Sequence, residues 1–436
     1  MSSKATKQLA DFVTLIRGTT YKGALVGKPG PALLGLGSIQ PGGGFRDADF
    51  KTYGGDCPQK LMLVPGDLFA SLKGATKDGK MIGSVARVPN FVHSGRLTQD
   101  TVKLEFLVQD KAIQRYIYWL LRTPQYREYC AGRAMGSAVV ALSREDFLSY
   151  PIPALTHYKT KLVDLLEVVE ERVRLLRDTN TTLDCTVQAL FKSWFVDFDP
   201  VLAKVKGLKP EGVSATAAAL FPDSFEESEL GLVPSGWIVR SLDSIANYLN
   251  GLALQKFPPT DDVWLPVIKI AQLRKGNTVG ADRAGRNIKS EYIVQNGDVL
   301  FSWSGSLEVV IWSGGEGALN QHLFKVTSKD FPKWFYYLWT RQHLSDFQEI
   351  AASKATTMGH IQRKHLTEAK VVVPTAEMLR IAGELIEPLI ERWLLNAEIA
   401  QNLTQLRDSL LPSLISGKLR LPETEASLEN MLSEAI

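Results

Sequence analysis

Between Tyr158 and Phe198 the chain repeats one spacing. Leu162, Leu166, Val169, Val173, Leu176, Asn180, Leu183, Val187, Leu190 and Trp194 follow each other at alternating steps of four and three, and no glycine or proline falls between Ala154 and Asp199. That spacing is the seam of a helix that packs on another helix. At about 1.5 Å per residue it predicts a helix roughly 60 Å long. The polar member, Asn180, would fix register at a cost in stability. A shift of 216 supplies the partner: Asn180 falls on Asn396, Val169 on Leu385, Val173 on Leu389, Leu183 on Ile399, Val187 on Leu403, Leu190 on Leu406, Ser193 on Ser409 and Trp194 on Leu410. Leu176 falls on Arg392, which predicts a more polar point in the second seam, and Pro388 predicts a kink or a break.

The chain ahead of the first long helix reads as a mixed domain. Residues 9–16 are short and apolar, LLGLGSI at 33–39 predicts a buried strand, and PGGG at 41–44 predicts a turn. Pro65-Gly66-Asp67 predicts a tight turn into a strand from Leu68 to Leu72. SVARV at 84–88 predicts another short strand, and TVKLEF at 101–106 alternates as a half-buried strand should. A helical face starts near Lys111 with Ile113, Ile117, Leu120 and Leu121. Ser143, with Asp146 three residues on, predicts a capped turn, and Pro151 and Pro153 close the domain.

The same blocks return in the same order. A shift of 231 carries Gly66-Asp67 onto Gly297-Asp298, Ser71 onto Ser302 and Gly74 onto Gly305. A shift of 222 carries Gln99 onto Gln321, Val102 onto Phe324 and Lys103 onto Lys325. IYWLL at 117–121 meets FYYLW at 335–339, Arg133-Ala134 meets Lys354-Ala355, and Pro153 meets Pro374. The chain is therefore predicted as a tandem: a globular domain over 1–154, a long helix over 155–199, a linker over 200–230, a second domain over 231–375, a second long helix over 376–416 and a tail over 417–436. The fold class is α+β, with two similar mixed α/β domains and two long helices that pair as an antiparallel coiled coil, giving a pseudo-two-fold repeat. Such an object holds two domains a fixed distance apart, and a duplex with two half-sites is its natural target.

Composition narrows the picture further. The 436 residues are 45% hydrophobic and 22% charged, as in soluble globular proteins. Fifty basic against 47 acidic residues leave a net charge of +3, so any nucleic-acid face must be local. Cys57, Cys130 and Cys185 show neither metal spacing nor a disulfide framework. The N-terminus lacks an apolar core of signal-peptide length and no apolar run spans a bilayer, which places the expectation in the cytoplasm, away from membranes.

VPGDLFASLKG with NGDVLFSWSG, LTQDTVKL with LNQHLFKV, the proline ends YPIP and VVVP, LFKSWFVDFDP after the first long helix, and the join FPDSFEESELGLVPSGW together resemble the specificity subunit of type I restriction–modification systems. The resemblance covers nearly the whole chain. It implies two target-recognition domains, each reading half of a bipartite sequence in double-stranded DNA, with the coiled coil setting the spacer. It also implies methylase subunits and restriction/translocase subunits as partners. S-adenosylmethionine, ATP and Mg²⁺ would belong to those partners, with no cofactor and no catalytic residue on this chain. Pro388 and Arg392 depart from a straight second helix.

Basic residues in glycine-rich loops are the candidate DNA contacts, because such loops can follow a phosphate backbone and enter grooves. They are Lys73, Lys77, Lys80, Arg87, Arg96 and Arg133 in the first domain, and Arg274, Lys275, Arg283, Arg286, Lys289 and Lys354 in the second. Other chemistries find little support. Asp197-Phe198-Asp199-Pro200 only faintly echoes an amino-methyltransferase motif, and the glycines from Gly35 to Gly44 lack the GK[ST] ending of a phosphate loop. The histidines show no HExxH pattern, and His360 and His365 lie five apart, off a common helix face. Asp67 and Asp298 stand singly in turn motifs and read as turn caps, not metal ligands. The reading from another functional class is a coiled-coil scaffold whose globular ends bind protein.

Overall fold

The computed structural model describes residues 7–47, 50–74, 79–136, 140–260, 262–353 and 359–416. Strands β1 (Val13–Arg17), β2 (Ala32–Leu34), β3 (Met62–Leu63), β4 (Leu68–Ser71), β5 (Val85–Arg87), β6 (Gly95–Leu97) and β7 (Thr101–Phe106) precede helices α1 (Lys111–Leu120), α2 (Pro124–Arg133), α3 (Arg144–Leu148) and the 35-residue α4 (His157–Phe191). Next come α5 (Asp199–Val205), α6 (Ala215–Leu220), β8 (Phe225–Ser228), β9 (Gly231–Pro234), β10 (Ile238–Ser241), α7 (Leu242–Ile245), β11 (Asn247–Asn250), β12 (Trp264–Ile268), α8 (Ile270–Lys275) and β13 (Arg283–Gly285). The chain closes with β14 (Ile293–Val294), β15 (Val299–Ser302), β16 (Val309–Ile311), β17 (Gly317–Leu319), β18 (Leu323–Thr327), α9 (Lys333–Gln342), α10 (Leu344–Ser353), α11 (Arg363–Glu368), β19 (Lys370–Val373), the 35-residue α12 (Ala376–Leu410) and α13 (Ser413–Ser416).

Two compact units result, one built from residues up to Glu171 together with Leu403 onward, the other from Arg172–Asn402. In the first, an antiparallel sheet runs β1-β7-β4-β5 and a smaller sheet runs β2-β6-β3, with β2 parallel to β6. In the second, the corresponding orders are β11-β18-β15-β16 and β12-β17-β14, with β12 parallel to β17 and β13 added at its edge. Strand β4 is buried on every residue because both of its faces are covered: Leu68 and Ala70 meet the helices, Phe69 meets the small sheet. Strand β15 repeats this with Val299 and Phe301 on one side and Leu300 on the other. A continuous apolar run is what a doubly covered strand requires. β7 alternates instead, with Val102 and Leu104 inward.

The register joins the two sequence shifts. Ser71 faces Thr101 and Phe69 faces Lys103; Ser302 faces Leu323 and Leu300 faces Lys325. Shifts of 231 on one strand and 222 on its neighbour thus land on the same pairing, so the two domains share a frame and not merely an order of motifs.

In the first unit, Leu162, Val163 and Leu166 of α4 share a core with Leu410, Leu411 and Leu414, while Glu170 bonds Arg407. In the second, the Asn180 amide donates to the Trp393 carbonyl (2.8 Å) and the Asn396 amide to Asn180 Oδ1 (3.0 Å). Farther along, Val187 and Phe191 share a core with Met378, Ala382 and Ile386. The two long helices therefore run antiparallel in each unit. Along α4, Leu162, Leu166, Val169, Val173, Leu176 and Val187 are buried, with Asn180, Leu183 and Leu190 half-buried. Along α12, Asn396, Leu403 and Leu410 are buried and Leu389, Ile399 and Leu406 half-buried.

Several expectations need correction. Leu385 is 43% exposed, and Ile386 takes the inward position one residue on. Arg392 points outward, and the half-buried Trp393 supplies the packing in its place, so the second seam has no polar point there. The helix passes through Pro388 without ending. LLGLGSI is a strand only to Leu34, then a 3₁₀ turn over Leu36–Ser38. Residues 200–230, expected as a linker, are folded: Val201, Ala217 and Phe221 are buried in the core of the second unit. Residues 417–436 lie outside the described residues.

Candidate nucleic-acid interface

The turn aspartates anchor the frame. Asp67 Oδ2 accepts from the Val64 backbone (2.9 Å) and from Lys103 Nζ (2.7 Å), and Lys103 also donates to the Met62 carbonyl (3.1 Å). Asp298 Oδ2 accepts from the Gln295 backbone (2.8 Å) and pairs with Lys325 Nζ (2.7 Å), which donates to the Ile293 carbonyl (3.0 Å). Each lysine crosses from the middle strand to lock the turn that starts its neighbour. These groups are structural, as the turn-cap reading requires.

The candidate basic residues separate by what they touch. Arg96 is buried and donates to the Asp56 and Thr20 carbonyls and to Thr19 Oγ1, with its guanidinium 5.0 Å from the Tyr53 ring. Arg87 pairs with Glu167 of α4 (2.8 Å) over the Tyr118 ring. Both are engaged in holding the first unit together, which corrects their expected place among free loop cations. Lys73 is half exposed beside Asp100, and Lys80 is exposed. Arg133 lies over the Tyr129 ring at 3.8 Å and near Asp146.

In the second unit, Arg274 and Lys275 end α8, where Gly276 adopts a left-handed cap; Arg274 sits 3.3 Å from Glu308. Burial pushes the Glu308 carboxyl up even with Arg274 beside it. Arg283 lies over the Trp264 ring, and Arg286 holds Glu316 through two hydrogen bonds (2.6 and 2.8 Å), which lower the Glu316 carboxyl. Lys289 is exposed. Arg274 and Lys275 lie at the end of α8, which follows β12, while Arg283 lies on β13 and Arg286 and Lys289 come after it. Lys77 and Lys354 lie outside the described residues.

The sequence reading missed a cleft of about 690 Å³ in the first unit, lined among others by Tyr21, Ser38, Arg46, Phe50, Lys51 and Gln99. Arg46 and Lys51 are exposed at its wall, and Tyr21, 43% exposed, packs edge-on against Tyr53. Cations beside aromatic faces suit a nucleic-acid strand. The signal was present, since Arg46 comes two residues after the PGGG turn.

The catalytic motifs weighed above become structural parts. Asp197 bonds Lys192, and Phe198, in a left-handed conformation (φ 56°), turns the chain from α4 into α5. His365 is buried and caps α11, accepting from the Gln362 backbone at Nδ1. Among the described residues, no group of three or more His, Cys, Asp or Glu side chains is placed to hold a metal ion, and no helix is long and apolar enough to cross a membrane.

Residues 234–405 match the type I restriction modification DNA specificity domain. The chain is 24% identical over 413 residues to the specificity subunit of the type I restriction enzyme HindI from Haemophilus influenzae, across 81% of this chain and 89% of that protein. It is 23% identical over 328 residues to the MjaIX specificity subunit from Methanocaldococcus jannaschii, covering 72% and 71%. Among solved structures, the S subunit of a type I restriction–modification system from M. genitalium shares the fold, with a TM-score of 0.54 at 14% identity over 95% of this chain and 97% of that one.

Proposed function

We propose that the chain is a specificity subunit of a type I restriction–modification system, a recognition component rather than an enzyme, and that it binds double-stranded DNA carrying a bipartite target. Each globular domain reads one half, and the helix pair sets the number of unread base pairs between them. Methylase subunits and restriction/translocase subunits dock on the chain and bring S-adenosylmethionine, ATP and Mg²⁺, in the cytoplasm. The candidate basic residues, Lys73, Lys77, Lys80 and Arg133 in one domain and Arg274, Lys275, Arg283, Arg286, Lys289 and Lys354 in the other, contact the DNA at phosphates or base edges.

The observation that supports this reading most is the common frame of the two domains. Two copies of one strand register, each with its own loops, are what a protein needs to address two different short sequences in the same way. The test is co-expression of the chain with its methylase subunit, followed by mapping of modified adenines or cytosines across a genome. A two-part motif with a constant gap is the expected result. A contiguous motif, or modification without sequence preference, overturns the proposal, and methyl transfer by the purified chain alone contradicts its non-catalytic role.

A further inference from the structure

The common frame singles out one place where the two domains differ. Two residues beyond Ser71 of β4 and Ser302 of β15, the chain puts Lys73 in one domain and Ser304 in the other. One residue before each facing strand it puts Asp100 and His322. Lys73 Nζ lies 3.5 Å from Asp100 Oδ1, and Ser304 Oγ lies 2.9 Å from His322 Nδ1. The backbone around the two pairs is the same. Gly74 donates to the Val140 carbonyl and Gly305 to the Gly359 carbonyl, both at 2.8 Å. Gly18 donates to Thr101 and Gly251 to Leu323, both at 3.0 Å. A Cβ on Gly18 would stand 1.8 Å from the Thr98 carbonyl oxygen, and one on Gly251 2.3 Å from that of Asn320, so both glycines are required by the same close approach.

We infer that these paired positions set half-site specificity by contacting base edges in the groove, Lys73 with Asp100 in one domain and His322, oriented by the buried Ser304, in the other. This rests on the DNA-reading function proposed above. The backbone frame is shared, so it cannot distinguish two half-sites; side chains that change on an unchanged frame can. Lys73 and Asp100 are 46% and 35% exposed, and Asp100 also lines the cleft with Arg46 and Lys51. An ammonium donor beside a carboxylate acceptor complements the major-groove edge of a G·C pair, with Lys73 donating to guanine O6 or N7 and Asp100 accepting from cytosine N4. In the other domain the Ser304 hydroxyl occupies Nδ1 and leaves Nε2 as the ring's second polar edge, with Trp303 alongside at 5.8 Å between ring centroids.

The experiment uses the full chain co-expressed with its methylase subunit, as wild type, as K73S/D100H and as H322A, with modified sites mapped by sequencing. In K73S/D100H the preference at one G·C position of one half-site should fall roughly tenfold, with the other half-site and the gap unchanged. H322A should relax one position in the opposite half-site. Wild-type motifs from either variant overturn the inference, as does a uniform loss of modification with the motif intact, which marks a phosphate contact. A position in the first variant that is not G·C in the wild-type motif overturns the base assignment. A wild type without a two-part motif refutes the DNA-reading function itself and is recognised before any variant is compared.

Discussion

Glu170 holds the first unit to the end of the chain, and removing its charge should loosen that unit in a way that can be calculated. Its carboxylate accepts from Arg122 (3.0 Å) and from Arg407 (2.8 Å), with side-chain exposures of 27, 4 and 15% respectively. Burial alone would push the Glu170 carboxyl up, but the guanidinium groups of Arg122 and Arg407 overcome it and hold the group at about 2, against an ordinary 4.5. At about 1.4 kcal/mol per tenfold, that is worth roughly 3 kcal/mol at neutral pH. Breaking a buried pair costs about 3–5 kcal/mol, and Arg122 keeps a bond to the Tyr118 hydroxyl (2.8 Å), so the lower figure applies. The sign follows from a depressed carboxyl. The stabilisation is present in full above 4.5 and is lost as pH falls from there through about 2. Hydrogen exchange read by mass spectrometry should show the α1 peptides of Glu170→Gln exchanging about a hundredfold faster at neutral pH, where opening is subglobal. Peptides from α9 serve as reference. Wild-type exchange should approach that of the variant on acidification, while the variant lacks this acid-dependent loss. A change under threefold, or parallel pH profiles, refutes the account.

Other outcomes follow from the same geometry. Asp67→Ala and Asp298→Ala should each cost about 2–3 kcal/mol by leaving a part-buried ammonium unpaired, a matched pair of losses to be read by denaturant titration. Asn396 is 1% exposed and its Oδ1 has no hydrogen-bond partner, so the double change Asn180→Leu with Asn396→Leu should stabilise the helix pair by about 1–2 kcal/mol while the single change Asn396→Leu destabilises it; melting curves of the three proteins decide. Replacing Lys73, Lys77 and Lys80 with Ala should flatten the salt dependence of DNA binding by up to about one unit of slope per lost phosphate contact, and an unchanged slope moves the DNA face elsewhere. Inserting four residues after both Thr181 and Ala397 lengthens each helix by roughly 6 Å; at about 3.4 Å per base pair the gap in the modified motif should grow by about one or two with the half-sites unchanged.

Much of the frame could be read from single residues because its constraints are local. The Gly-Asp turn, the alternation of TVKLEF and the Ser143 cap each carry their own chemistry, and their repetition revealed the tandem. The small sheets were less legible: strands of two or three residues, such as Met62–Leu63 and Ile293–Val294, are too short for a period to show. The displacement of the second seam from Leu385 to Ile386 had no local signal either, since Leu385, Ile386 and Leu389 are all apolar and only packing decides which turns inward. Among the basic residues, loop composition did not separate Arg96, folded beneath Tyr53, from Arg46, exposed at a cleft wall. That distinction depends on carbonyls at Thr20 and Asp56, distant in sequence from Arg96.

The first unit takes its last core residues, Leu410, Leu411 and Leu414, from the far end of the chain. A ribosome must therefore make residues 172–402 before that unit can close. At roughly 5–20 residues per second this is a wait on the order of tens of seconds. Throughout it the apolar face of Leu162, Val163 and Leu166 lacks its covering, a surface for a chaperone or for premature association. A nonsense codon or frameshift just before residue 403 would leave every residue of the first sheet in place and still deny that unit its final turn of packing. The beginning of the protein is thus proofread by its end.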